Sequence, residues 1–238
     1  MMKSKRYTMN ALFPLLVERF VLRLFAVLFM FGLFAAAISW SSSVVAGDQA
    51  IESPVALLER TSGEVLKILR RDHELLQREP ERINKIIDDY ILPHLDNVTM
   101  AKLALGKNWR KATKKQKIAF VGEFKQLLIR TYGKSLVEFK DQTIRYFPVK
   151  LAPDAKKISV KAEVIQPGGP SIPMAYRMRI KNNAWKVYDI KIDGISLVTS
   201  YRGTFTQEVR KSGIDGLIIY LQDKNAKSRS VQQQEQGV

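Results

Sequence analysis

Cysteine is absent from all 238 residues. The chain can form no disulfide, no thiolate metal site and no lipid-modified cysteine at a processed N-terminus. Histidine is nearly absent: only His73 and His94 occur, each in a helical stretch and neither with a second histidine three or four residues away. That leaves little for a zinc site or a Ser/His/Asp triad. No GxSxG, HExxH, Walker A or GxGxxG pattern occurs, so the common nucleophile, metalloprotease and phosphate-loop chemistries have no local signature. Acidic residues are scarce: 23 against 39 basic ones, a net charge of +16.

Long hydrophobic runs are also missing, with one exception. Residues 24–47 carry no charge, and 24–38 are almost wholly apolar. Lys3, Lys5, Arg6, Arg19 and Arg23 precede this run, and it ends in serines and Val44-Val45-Ala46. A basic start, an apolar centre and a small-residue end make a secretory signal peptide, cleaved after Ala46. A retained anchor is the alternative, since the run approaches spanning length. Either way the domain is exported, which for a bacterial chain means the periplasm. From residue 47 onward, 34 basic and 22 acidic residues remain, a net +12. Such a charge ordinarily raises nucleic acid as a partner. Export argues against it and leaves anionic lipid headgroups or an acidic protein.

The exported part reads as helices followed by strands. Ser53-Pro54 is an N-cap with proline at the first helical position, and Val55, Leu58, Val65, Leu66 and Leu69 follow at helical spacing. Pro80 opens a second helix with Ile83, Ile86, Ile87, Tyr90 and Ile91 on one face, ended or kinked by Pro93. A short apolar helix over 98–105 closes at Gly106. Thr113 and Gln116 form a capping box at the start of the longest helix, 114–139, whose apolar residues cover more than a narrow stripe. A face that wide is expected to be buried against a sheet.

After Lys140 the period becomes two. A weak strand over 142–149 contains Pro148, which suits an edge. Two clear strands alternate around the turn Pro167-Gly168-Gly169-Pro170, and Asn182-Asn183 turns into a fourth. In that strand Trp185 and Val187 share one face. Tyr188, Ile190 and Ile192 then take over, with Asp189 toward water. The slip predicts a bulge near Val187 and Tyr188 that bends the sheet. Residues 199–211 and 214–221 read as two helices separated at Ser212-Gly213, and 223–238 as a disordered polar tail. The divisions are thus a leader at 1–46, one domain at 47–222 and the tail. The fold class is α+β: N-terminal helices packed on one face of a curved, four-stranded antiparallel sheet, with a pocket between them.

The best candidates for acid–base chemistry, Tyr188 and Asp189, would serve an isomerase-like enzyme with a cone-shaped cavity. With Asp189 turned outward, a surface ion pair is the simpler role. Apolar and amphipathic side chains on both halves suit a greasy cavity with a polar mouth instead.

The passage WKVYDIKIDGISLVTSYRGTF at 185–205, followed by Gly213-Ile214-Asp215-Gly216-Leu217-Ile218, resembles the C-terminal signature of the MlaC family, also called toluene-tolerance auxiliary proteins. Gly106-Lys107-Asn108-Trp109, Thr113, Gln116, Phe120, Phe124, Leu128 and Tyr132 agree with it upstream, so the resemblance spans about 54–221. Hopanoid-associated proteins share the pattern and are the neighbouring alternative. The resemblance implies a periplasmic carrier, not an enzyme, with no cofactor and a phospholipid as bound ligand. It would pass lipid between an outer-membrane lipoprotein complex and an inner-membrane ABC transporter with an MCE-domain subunit, maintaining outer-membrane asymmetry. It would act as a monomer. On that reading the tail-contacting side chains are Phe124, Leu128, Tyr132 and Leu136 on the long helix. Val160, Val164, Tyr176, Met178, Tyr188, Ile190 and Ile192 join them from the strands, and Leu197, Val198, Tyr201 and Phe205 from beyond. Arg202 is a candidate for structure or for a contact at the mouth.

Overall fold

A computed structural model of the chain describes residues 51–138 and 141–236. The leader expected over 1–46 and the expected apolar residue Phe139 lie outside them. Six α-helices and a five-stranded antiparallel meander, in the order β1-β2-β3-β4-β5, form the described part.

Local chemistry sets the helix starts. Helix α1 (Pro54–Arg71) begins where the Ser53 hydroxyl accepts the Ala56 N–H at 3.1 Å. It is followed by α2 (His73–Arg78) and α3 (Arg82–Ile86). A π-turn over Ile87–Ile91 continues α3. A π-turn adds a residue to the helical repeat, so Tyr90 is exposed while Ile83, Ile86 and Ile87 stay buried. This corrects the single apolar face expected there. Helix α4 (Asn97–Leu105) ends at Gly106, whose φ is +58°. A Cβ at Gly106 would sit 3.1 Å from the Arg202 side chain. Arg202 itself donates from Nε and Nη2 to the Leu103 carbonyl at 3.0 and 2.7 Å. Its role is structural: it clamps the open end of α4. Helix α5 (Lys114–Val137) starts at the complete Thr113/Gln116 capping box.

The sheet consists of β1 (Thr143–Tyr146), β2 (Lys157–Ile165), β3 (Ile172–Lys181), β4 (Ala184–Ile192) and the two-residue β5 (Ile195–Ser196). The fifth strand adds to the four expected. Register shifts between Arg177 and Met178: Arg177 faces Asp189 and Met178 faces Val187, leaving Tyr188 as the extra residue of a bulge. The bulge stands where the alternation slips, but its consequence differs from the expected one. Val187 and Ile190 share the face that packs with Val160 and Met178. Tyr188 and Asp189 both turn to the other face, where Arg177 stacks over the Tyr188 ring at 5.0 Å and pairs with Asp189 at 3.3 Å. Asp189 is therefore not at the surface; it is fully buried.

Helix α6 (Arg202–Gln236) is interrupted at Gly213, which has φ +73° and ψ −176°. It includes most of the segment expected to be a disordered tail. Buried Leu221 and Asn225 bind the first turns of that segment, Asn225 donating to the Glu123 carbonyl at 3.1 Å and to its carboxylate at 2.6 Å.

Three apolar clusters result. The first half of α1 lies on the sheet, with Leu57 and Leu58 against Val160, Met178, Trp185 and Val187. Its second half, with Val65 and Leu69, packs on Ile83, Ile86, Ile87 and Val137. The third cluster joins α4, α5 and α6 around Phe120, Phe124, Phe205 and Leu217, and Tyr188 reaches it from the opposite side of β4. Each fully buried Leu, Phe or Met contributes roughly 1.5–3 kcal/mol.

Asp96 ties two of these regions together. It caps α4 through the Thr99 N–H at 3.2 Å and hydroxyl at 2.6 Å, and accepts from Lys181 Nζ at 2.8 Å. Its own N–H donates to the Val187 carbonyl at the bulge. Burial alone would push this carboxyl up, but the bonds from Lys181 and Thr99 outweigh it and hold the group below its ordinary value of 3.8. A carboxyl lowered in the fold contributes stability above its unfolded pKa and loses it as pH falls through the folded one. Urea midpoints should therefore drop as pH is taken below about 4. Asp96→Asn should lower the neutral-pH midpoint and flatten that acid limb.

Candidate functional site

Helix α1 crosses the edge strand β1 without closing on it. A cavity of about 380 Å³ remains between them. Its helix wall is Glu59, Ser62, Gly63, Leu66, Lys67 and Arg70; its strand wall is Thr143, Ile144 and Tyr146. The helix residues recur at three- and four-residue steps and so form one stripe. Gly63 opens the stripe: a Cβ built there meets nothing within 4 Å. Glycine in mid-helix costs about 1 kcal/mol relative to alanine, and here it leaves the cavity wall low.

Inside the cavity, Tyr146 joins the opening to the sheet core. Its ring centroid lies 5.9 Å from that of Tyr176. Burial pushes both phenols up, Tyr176 far up, so they stay neutral at physiological pH. Aromatic rings with neutral hydroxyls suit an apolar occupant.

None of the fifteen side chains expected to touch a ligand lines this cavity, and they divide between its neighbourhood and the helical clusters. Val160, Tyr176, Met178 and Ile190 belong to the cluster that includes Tyr146. Val164 is buried and stands opposite Ile144 in the β1–β2 register, and Ile192 is half-buried opposite Met174. The second group sits elsewhere. Phe124, Leu128, Tyr188, Val198, Tyr201 and Phe205 belong to the α4–α6 cluster. There Phe124, Tyr201 and Phe205 pack ring on ring at 5.5–5.6 Å. Burial pushes the Tyr132 phenol up, with the neighbouring Tyr201 adding to it. Leu136 packs on the Ile83–Val137 cluster, and the half-buried Leu197 donates its N–H to the Ile190 carbonyl at 2.9 Å. Ser62, Gly63, Ile144 and Tyr146 were not among the expected site residues, and Leu66 was read only as part of the apolar face of the first helix; a glycine in mid-helix at 63 was a usable signal.

Comparison with known proteins bears on the family. The family model described as MlaC protein matches residues 59–223. The chain belongs to the MlaC family. Toluene tolerance protein ttg2D of Pseudomonas putida is 28% identical over 167 residues, covering 70% of this chain and 77% of that protein. The intermembrane phospholipid transport system binding protein MlaC of Haemophilus influenzae is 23% identical over 173 residues, 71% of this chain and 81% of that one. Among solved structures, the phospholipid-binding protein of Ralstonia solanacearum in complex with a phospholipid is 31% identical. Its TM-score is 0.67, and the match covers 72% of this chain and 96% of the other. In this MlaC-family chain, no group of acidic residues and histidines that could hold a metal occurs among the described residues. No described helix is long and apolar enough to cross a membrane.

Proposed function

We propose that this protein is a periplasmic phospholipid carrier that holds acyl tails between α1 and the sheet and moves lipid between the outer and inner membranes. The observation that carries this reading is the open, apolar-walled seam between α1 and β1, in a chain whose solved relative holds a phospholipid. Two acyl chains hold about 30 methylenes, worth roughly 24 kcal/mol against water at about 0.8 each. A carrier must therefore enclose most of both tails. At about 380 Å³ the cavity is near the small end of ligand pockets, which run about 300–1,000 Å³. Tails would enlarge it by parting the Tyr146–Tyr176 contact and advancing over Val160, Met178 and Ile190. Exchange with a bilayer is feasible because the tails move from one apolar medium to another.

The same reading makes the chain an exported monomer. It would receive lipid from or deliver it to an outer-membrane lipoprotein complex and an inner-membrane ABC transporter with an MCE-domain subunit, supporting outer-membrane asymmetry. Asp189 is an interior carboxylate, as an isomerase would need. It is, however, bonded to Ser196 and Arg177 and does not line the cavity between α1 and β1, which favours a carrier over an enzyme.

Organic extraction of the natively purified protein, followed by mass spectrometry, should recover phospholipid. Gly63→Trp should cut the recovered lipid at least about fivefold. Its melting temperature should stay within a few degrees of wild type, because most residues exceed glycine in helix propensity by a few tenths of a kcal/mol. Lipid-free wild-type protein would overturn the carrier reading. Undiminished lipid in Gly63→Trp would move the tails out of this seam.

A further inference from the structure

The chain leaves β1 through a loop that is apolar where surface loops are ordinarily polar. Residues 147–153 read Phe-Pro-Val-Lys-Leu-Ala-Pro. Phe147 and Leu151 are each 39% exposed, and Pro148, Ala152 and Pro153 are exposed beside them. In this run only Val149 turns inward, to the sheet cluster that holds Tyr146 and Tyr176. A lone exposed apolar side chain is ordinary, but a contiguous run marks a surface that meets a partner or a membrane. The loop is also held at both ends. The Phe147 N–H donates to the Lys161 carbonyl and the Ile180 N–H to the Lys156 carbonyl, each at 3.0 Å.

Cations surround this run. From 147 to 161 stand Lys150, Lys156, Lys157 and Lys161 against a single acid, Asp154. All four lysines are exposed, and no ion pair to any of them occurs among the described residues. Arg145, paired with Glu163, lies over the Phe147 ring at 5.6 Å. Exposed aromatic and aliphatic side chains flanked by lysines have the chemistry of a membrane-surface contact. The apolar groups enter the headgroup layer, and lysine stems lie along it with their ammonium groups at lipid phosphates. Position points the same way. The loop starts directly after Tyr146, which lines the cavity between α1 and β1, so whatever it touches lies beside the Tyr146 end of that cavity.

We infer that the loop joining β1 to β2 docks the protein on an anionic phospholipid bilayer. Phe147 and Leu151 enter the headgroup layer; Lys150, Lys156, Lys157 and Lys161 meet lipid phosphates. Docking does not depend on what the cavity holds. Its use, which is to set the Tyr146 end of the cavity against the lipid, rests on the carrier reading.

The test is sedimentation of the natively purified protein with vesicles of phosphatidylcholine alone or with about one-third phosphatidylglycerol. Wild type should bind the anionic vesicles about tenfold or more tighter than the neutral ones, and high salt should remove most of that difference. Phe147→Ser/Leu151→Ser keeps every charge and should weaken binding to anionic vesicles about tenfold. Lys150→Gln/Lys156→Gln/Lys157→Gln should weaken it by about tenfold or more. Lys111→Gln/Lys114→Gln/Lys115→Gln removes the same charge from exposed positions around the start of α5 and should weaken it about threefold at most. All three variants change exposed side chains, so melting temperatures should stay within a few degrees of wild type. Equal wild-type binding to both vesicles overturns the docking assignment. So does undiminished binding of Phe147→Ser/Leu151→Ser, or an equal loss in the two lysine variants, since either result is attraction by net charge alone. Tighter binding to polyglutamate than to anionic vesicles, lost in the loop variants, would make this a site for an acidic protein and overturn the bilayer as its occupant. The carrier reading falls separately, if the protein yields no phospholipid on extraction.

Discussion

Phe205→Ala is expected to destabilise the protein by about 3–5 kcal/mol. Phe205 is 1% exposed and touches three rings: Phe120 and Phe124 edge-on at 5.5 and 5.6 Å, and Tyr201 stacked at 5.5 Å. Truncation removes the transfer energy of the ring, leaves a cavity walled by rings that cannot collapse freely, and forfeits aromatic pairings worth roughly 0.5–1.5 kcal/mol each. For a domain of this size the melting temperature should fall by roughly 6–20 °C. Thermal denaturation with and without bound phospholipid checks this, and it also decides between two places for the tails. If the α4–α6 cluster is filled core, the loss should be large in both states and the folded fraction should still carry lipid. If tails occupied that cluster, the lipid would fill the missing volume and rescue the variant. Near-wild-type melting of lipid-loaded Phe205→Ala would put the pocket among the helices.

The outcome matters because the sequence could not separate a lining residue from a core residue. Features made by neighbours in the chain were legible: the Ser53 and Thr113 caps, the Gly106 stop, the hairpin turns, the break at Gly213 and the position of the bulge. Each depends on a backbone group that a nearby side chain satisfies, or on a φ that glycine accepts. Errors arose where one residue was added to a repeat. The π-turn over Ile87–Ile91 rotates Tyr90 out of the stripe. The bulge leaves Tyr188 and Asp189, adjacent in the chain, on the same side of the sheet. Alternation counted from Tyr188 therefore sent Asp189 to water and joined Tyr188 to Ile190. The cavity was illegible for another reason. Leu66 and Ile144 meet only through the placement of α1 over the sheet edge, and no periodicity reports that distance.

Asp189→Ala should cost about 3–5 kcal/mol, although this carboxylate seemed from the sequence to be a surface group. No part of Asp189 is exposed. One oxygen accepts the Ser196 hydroxyl at 2.7 Å, the other accepts from Arg177 at 3.3 Å, and Ser196 in turn accepts the Thr199 N–H at 3.0 Å. Three strands and the turn leading into α6 are thereby joined at one carboxylate. Removing it strands the Ser196 hydroxyl and leaves the guanidinium without its counter-charge. The Arg177 side chain is 36% exposed and can recover some hydration, which places the expected loss toward the lower end of that range. Asp189→Asn can keep the Ser196 bond but loses the charge, so it should fall between wild type and alanine. Urea denaturation of Asp189→Ala, Arg177→Ala and the double variant separates the terms. Coupling of about 1 kcal/mol or more between the two sites is expected for partners in one network. Additive losses would break the proposed pairing. The intermediate stability of Asp189→Asn also bears on catalysis. A general base tolerates the amide structurally and fails chemically, whereas a carboxylate that holds β3, β4 and β5 together is missed first by the fold.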